Sequence, residues 1–393
     1  MPRENPNLAS INTAASTWQP DESLADPPDR SPLQRLAAAG SRAVGVTRLA
    51  EAVARRRHSQ FSILCYHRIG RGGVPVFSGL PAYLFEAQIR YLRKHYRIVS
   101  LSKMLCEMVE RRPVPPSVVI TFDDGYADLY TEAFPILRRY EVPATIFLTV
   151  GAIETGQVAW YDRVFVAFQV TSAREFVFPL QPSTRFPLGT PQERLRAAVA
   201  FISLVRTLPT SQQRTFCADL DSTVSLPSAA LANRMLTWDQ VRDMHANGVS
   251  FGAHTMTHPV VSCLDDAELP FELGESKRLL EQNLQSSAPD FAFPFGKSDE
   301  CGPSAVVCLK QLGYRSAATT VEGLNDPGTD PFALRRTSLC EQRSLPMFAM
   351  LLARLFLSRD SSIGQQPSPA AVPSQHPAAA ASSVRSRTGA PRA

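Results

Sequence analysis

The sequence predicts an α/β protein built on a mostly parallel sheet. From Phe61 onward, short β-rich runs alternate with amphipathic helical runs, the pattern of strands joined by crossover helices. About eight such runs occur, a number that favours a barrel over the alternative of an open sheet. One long interruption, at about residues 152–235, breaks the alternation.

Taken in order, the β-rich runs are FSILCY, YRIVS, SVVITF, ATIFLTV, GVSFGA, DFAFPF, YRSAATT and FALRRT. Segments such as LFEAQIRYLRKH, YTEAFPILRRY and ESKRLLEQNLQ lie between them and read as amphipathic helices. The interruption contains WYDRVFVAF and ERLRAAVAFISLVRTL, so an ordered, largely helical insertion is expected there. The flanks differ in composition. Residues 1–32 are rich in Pro, Ser, Asn and Asp, and 359–393 form a Pro/Ala/Ser tail; neither has the apolar content to offset its ordering entropy. Residues 33–57 are alanine-rich and favour a helix, weakened by Gly40 and Gly45. The barrel is therefore expected over 58–358.

Of the 393 residues 44% are hydrophobic, enough for a substantial core, and the net charge of +5 is too mild to argue for nucleic acid. The basic run Arg55–Arg57 reads as a solvated helix end, or as a peripheral contact to an anionic membrane. The seven cysteines form no C-x-x-C pair, which argues against a zinc ribbon or redox motif and for reduced thiols. The first residues lack the apolar core of a signal peptide, and no stretch is long and apolar enough to span a membrane. A cytoplasmic location is the resulting expectation.

Four stretches carry chemistry. In VVITFDDGYADLY a buried strand runs into Asp123 and Asp124, whose like charges need a cation or a proton between them. In a parallel barrel such strand ends form the functional face. The competing reading is a helix N-cap by Asp124 or Asp128 for a helix starting near Tyr126. In GAHTMTHPVV, His254 and His258 are four apart; on a helix both imidazoles would face one side, suited to one divalent ion. In DFAFPFGK a strand ends at Pro294 and Phe295, and Gly296 would let a ligand approach the backbone. In ILCYHRIG, His67 ends the first strand, a position more often structural than catalytic.

Together these stretches resemble the polysaccharide deacetylases, the fourth family of carbohydrate esterases, over about residues 61–340 without the insertion. The family motif T-F-D-D-G is matched by Thr121–Gly125, and H-[ST]-x-x-H-P by His254–Pro259. The third motif, usually R-x-P-[YF], reads Ala292-Phe293-Pro294-Phe295. The resemblance implies a distorted (β/α) barrel. It further implies that Asp123 is the general base, that Asp124, His254 and His258 hold a divalent metal ion, most simply Zn2+, and that the Phe295 N–H helps hold the oxyanion. Two departures stand out. Ala292 replaces the arginine that orients the base, leaving Arg335 or Arg336 to do so. The C-terminal L-x-H motif that supplies the acid is missing. A branch acting on poly-N-acetylglucosamine carries this histidine in an N-terminal Y-H strand, and Tyr66-His67 looks like that arrangement.

The implied activity is N-deacetylation of an amino-sugar glycan. The alternatives are an O-acetyl esterase or other C–N hydrolase of the same fold, and an inactive glycan-binding relative. Trp160 and Tyr161, with Asp162, are expected either to contact a sugar or to belong to the core of the insertion.

Overall fold

All strand pairings of the main sheet are parallel in the computed structural model, which describes residues 59–70, 79–111, 113–178, 185–223, 234–339 and 344–357. The expected N-terminal segment, the 33–57 helix with its Arg55–Arg57 run, and the 359–393 tail lie outside these residues. Each of the eight β-rich runs contributes to the sheet. In chain order the elements are β1 (Phe61–Tyr66), α1 (Ala82–His95), β2 (Arg97–Ile98), α2 (Leu101–Glu110), β3 (Ser117–Phe122), α3 (Phe134–Arg139), β4 (Thr145–Leu148) and α4 (Val150–Thr155). The insertion follows with α5 (Trp160–Val170), the hairpin β5 (Glu175–Val177) and β6 (Arg185–Pro187), α6 (Pro191–Val205) and α7 (Thr210–Thr223). The sheet resumes with α8 (Trp238–Ala246), β7 (Ser250–Ala253), α9 (Ser276–Leu284), β8 (Asp290–Ala292), α10 (Pro303–Gln311), β9 (Ser316–Ala318), β10 (Thr337–Ser338) and α11 (Leu345–Leu357).

The strand order is β10-β1-β3-β4-β7-β8-β9, with β2 also on β3. Beyond β9 the chain returns: Leu334 bridges Ala318, and Thr337 pairs with Leu64 of β1. The segment Leu334–Ser338 therefore touches both ends of the curled sheet, which is the distorted barrel the sequence predicted.

Every residue of β1 and β3 is buried, as expected for parallel strands covered on both faces. Period-2 alternation sorts them. Ile63, Val119, Phe147, Ala292, Ala318 and Leu334 share one core cluster, with α2 packed into it; Leu64, Ile120, Phe122, Ile146 and Leu148 belong to the larger cluster under the helices. Cys65, Asp123 and Arg336 have the parity of Ile63, Val119 and Leu334 and so face inward.

The insertion is helical as expected, with the two-stranded β5–β6 hairpin added. Its core is aromatic: Phe168, Phe176, Phe178, Phe201 and Phe216 meet at centroid distances of 5.3–5.9 Å. A capping box of Thr190 and Glu193 starts α6.

Close sheet packing is tightest at Gly252 in β7. A Cβ there would lie 2.6 Å from the Asp290 carbonyl oxygen and 2.6 Å from Cδ1 of Phe147. Gly252→Ala is therefore expected to destabilise the fold by about 1–3 kcal/mol, measured by urea denaturation; an unchanged midpoint would contradict this packing.

Candidate active site

Asp123 and Asp124 part company at the end of β3. The Asp123 N–H donates to the Tyr66 carbonyl (3.0 Å), which continues the ladder to β1 and keeps Asp123 facing inward. Asp124 then adopts φ +72° and Gly125 φ +88°, so the chain leaves the strand at the second aspartate. Left-handed φ is uncommon outside glycine, with Asp among the residues that tolerate it best.

Arg336 determines what each carboxylate can do. Its Nη1 and Nη2 donate to Asp123 Oδ1 (2.7 Å) and Oδ2 (2.8 Å), a bidentate pair, while Nε donates to the Thr319 carbonyl (2.8 Å). The guanidinium is fully buried. The Cys65 thiol adds a donor to Asp123 Oδ2 at 3.4 Å, and burial pushes its own pKa well up, so it keeps its proton. Burial also pushes Asp123 upward, but Arg336 and then His254 outweigh this and hold it below the ordinary carboxylate value. Asp123 is thus ionised and fixed. Of the two arginines the sequence offered, only Arg336 faces Asp123. Arg335 has the opposite parity, and its backbone N–H and carbonyl pair with the Asn325 side chain.

Asp124 has a different environment. Its Oδ1 lies 3.3 Å from His258 Nε2 and 3.6 Å from His254 Nε2, yet is buried without a hydrogen-bond partner among the described residues. His254 Nδ1 donates to the Ala292 carbonyl (2.7 Å), which leaves the Nε2 lone pair aimed at Asp124. Burial lowers the His254 pKa to about 4, so this imidazole is neutral at pH 7. The three ligand atoms lie within 4.8 Å of one another. Two imidazole nitrogens and one unpartnered carboxylate oxygen, one imidazole locked through its other nitrogen, form a donor set suited to a divalent cation.

Cys65, His67 and Asp123 also bring ligand atoms within 4.8 Å of one another. That second cluster disfavours a cation, because both Asp123 oxygens are engaged by the positive Arg336 guanidinium. His67 follows β1, has the inward parity of Cys65, and is open to solvent. It stands beside the clamped carboxylate.

The helix considered for His254–His258 does not form; the segment is a loop. Thr255 and His258 have φ of +66° and +62°, and Pro259 disfavours the helical region for His258. Thr255 Oγ1 accepts from the His258 N–H (2.9 Å). Buried Glu272 accepts from the N–H groups of Met256 and Thr257 (2.9 Å each) and from the Thr257 hydroxyl (2.6 Å). The imidazoles still converge, their centroids 4.9 Å apart. The N-cap reading of the acidic pair also fails. Tyr126 forms a β-bridge with Met235, and Asp128 accepts from Arg68 Nε (2.9 Å) rather than capping the turn that follows.

Pro294, Phe295 and Gly296 end β8 beside these histidines. Phe295 has φ +58°, and its ring lies 5.0 Å from that of His258. At Gly296 a Cβ would meet the Phe293 carbonyl oxygen at 2.8 Å and the Thr320 nitrogen at 3.1 Å, so close-packed protein backbone requires glycine here. Trp160 and Tyr161 sit at the start of α5 against the His258 loop: Trp160 Nε1 donates to the His258 carbonyl (3.1 Å), and the Tyr161 ring is 4.7 Å from the imidazole. Tyr161 is buried and Trp160 half-buried. Cys65, Glu272 and Tyr126 also support the site. Strand parity in FSILCYH marks Cys65 as inward; nothing local marks Glu272, which folds back onto the loop from 15 residues further along the chain.

The sequence model of the polysaccharide deacetylase family matches residues 110–317. YxkH of Bacillus subtilis, itself described only at the level of this family, is 21% identical over 282 residues, 71% of this chain and 71% of YxkH. A poly-beta-1,6-N-acetyl-D-glucosamine N-deacetylase of Staphylococcus aureus is 36% identical over 70 residues, 18% of this chain and 24% of that enzyme. Among solved structures, the Streptococcus pyogenes deacetylase PplD in complex with acetate aligns with TM-score 0.50 and 20% identity, over 76% of this chain and 99% of PplD. IcaB from Ammonifex degensii aligns with TM-score 0.50 and 18% identity, over 76% of this chain and 98% of IcaB. With a family match across more than half its length and the same fold, this chain belongs to the polysaccharide deacetylase family.

Proposed function

We propose that the chain is a metal-dependent hydrolase that removes N-acetyl groups from an amino-sugar polysaccharide or its precursor. One observation carries this reading: two adjacent buried carboxylates, one neutralised by Arg336 and the other left facing two imidazole nitrogens. The likeness to the S. aureus N-deacetylase supports the N-acetylglucosamine substrate class.

Asp124, His254 and His258 would hold the ion, with zinc the expected metal for this donor set. A bound divalent ion supplies Lewis acidity, lowering the pKa of water and polarising an acyl oxygen. The protein groups do the rest. Asp123 accepts the proton of the attacking water. Arg336 keeps that carboxylate ionised and aimed, and it supplies the orientation that an arginine at position 292 provides elsewhere in the family. The Phe295 N–H donates to the developing oxyanion. His67, beside Asp123 and open to solvent, donates a proton to the departing amine. An amide needs this last step because an unprotonated amine is a poor leaving group.

Elemental analysis should find one zinc per chain, lost in His254→Ala. Asp123→Asn should keep the metal and abolish turnover of an N-acetylglucosamine oligomer, whereas Asp124→Asn should weaken metal binding itself. Equal metal loss in both would mean that the two roles are misassigned. His67→Ala should retain metal and lose about 10²- to 10⁴-fold in amide hydrolysis. An activated acetyl ester, whose leaving group needs no proton, should suffer far less; a near-normal amide rate would remove His67 from the mechanism. Arg336→Ala leaves Asp123 as an uncompensated buried charge and should cost about 3–5 kcal/mol in chemical denaturation. Adding Asp123→Asn should restore part of that loss, since a neutral amide needs no counter-charge.

A further inference from the structure

The first turn of α5 makes an unusual set of contacts for an element of an insertion. Two consecutive residues contact the candidate ligand His258, and a third ties them to Tyr126. Trp160 Nε1 donates to the His258 carbonyl at 3.1 Å. The Tyr161 ring packs 4.7 Å from the His258 imidazole. Asp162, buried, accepts from the Tyr126 hydroxyl at 2.8 Å, and that hydroxyl lies 3.4 Å from the Tyr161 hydroxyl.

These contacts fall on one of the three candidate ligands, His258. His254 is oriented independently, by its bond to the Ala292 carbonyl at the end of β8. His258 also has a left-handed backbone, φ +62°. Such conformations persist only when surrounding contacts over-determine them. The Trp160 indole fixes the carbonyl of this strained residue, and the Tyr161 ring packs against its imidazole. Asp162 and Tyr126 anchor Tyr161 from behind, and the Arg68 guanidinium lies 4.7 Å from the Tyr126 ring centroid.

We propose that Trp160 and Tyr161 are positioning residues for the candidate metal ligand His258, anchored by Asp162 and Tyr126, so that the insertion completes the metal centre instead of serving only the substrate groove. This rests on the metal-site reading proposed above. Partners of this kind around a metal ligand are worth about 10- to 100-fold in metal affinity.

The test is the zinc affinity of the full chain, measured by competition against a chromogenic chelator. Trp160→Phe removes the indole donor and keeps an aromatic ring. Tyr161→Phe removes the hydroxyl that meets the Tyr126 and Asp162 anchor and preserves the ring, so the question stays answerable even if the tryptophan variant does not fold. Each folded variant should bind zinc about 10- to 100-fold more weakly than wild type. Trp238→Phe is the control, because its indole donates to Glu154 (2.6 Å) and not to the histidine loop; its affinity should be unchanged. Wild-type affinity in Tyr161→Phe and in folded Trp160→Phe overturns the positioning role while leaving the metal site intact. Absence of zinc binding in the wild type, or zinc retained in His254→Ala, overturns the metal-site reading and this inference with it.

Discussion

The Arg336–Asp123 pair is the interaction on which the rest of the site depends. Two adjacent carboxylates at a buried strand end would otherwise repel each other and take up protons. The guanidinium engages both oxygens of Asp123 and leaves Asp124 as the carboxylate facing the imidazoles. A buried ion pair is stable only with good geometry and satisfied remaining donors. Here Nε reaches the Thr319 carbonyl and the Cys65 thiol supports the carboxylate. The partners are 213 residues apart in sequence. Arg336 reaches Asp123 because the segment from Leu334 to Ser338 lies between β9 and β1, so closure of the curled sheet and orientation of the proposed base are one event.

Backbone strain collects at the same face. Asp124, Thr255, His258 and Phe295 all have positive φ, and all follow the C-terminal ends of β3, β7 and β8. That is the end of a parallel barrel where loops carry the chemistry. Side-chain bonds hold the histidine loop and Phe295. Thr255 Oγ1 accepts the His258 N–H, Glu272 gathers the donors between the two histidines, and the Thr320 hydroxyl donates to the Phe295 carbonyl. The histidine loop is therefore a rigid turn built from side-chain bonds, and it brings the imidazoles together without a helix.

Ala292 stands where the third family motif usually has arginine. The residue is buried in the inward-facing cluster, and its carbonyl accepts from His254 Nδ1. The position therefore still orients a candidate ligand through its backbone. The guanidinium comes from Arg336, whose terminal carbon lies 5.7 Å from the centroid of the Phe147 ring in that cluster.

By itself the sequence determined the eight strand runs, their parallel connection and the insertion, because these follow from local periodicity and from helices placed between strands. It also marked Asp123, Asp124, His254 and His258, because rare residue types recur there at strand ends. The choice of Arg336 over Arg335 was latent in FALRRT: Leu334 belongs inside the barrel, and period 2 puts Arg336 there with it. Only the tertiary structure decided the rest. It made the histidine segment a loop, since Pro259 and the side-chain bonds of Thr255 and Glu272 outweigh a helical spacing. It filled the space at Gly296 with the backbone of Phe293 and Thr320. It turned Trp160 and Tyr161 toward His258, across a chain separation no local pattern encodes. Such contacts depend on where loops from different strands meet, and that is set by the closure of the whole sheet.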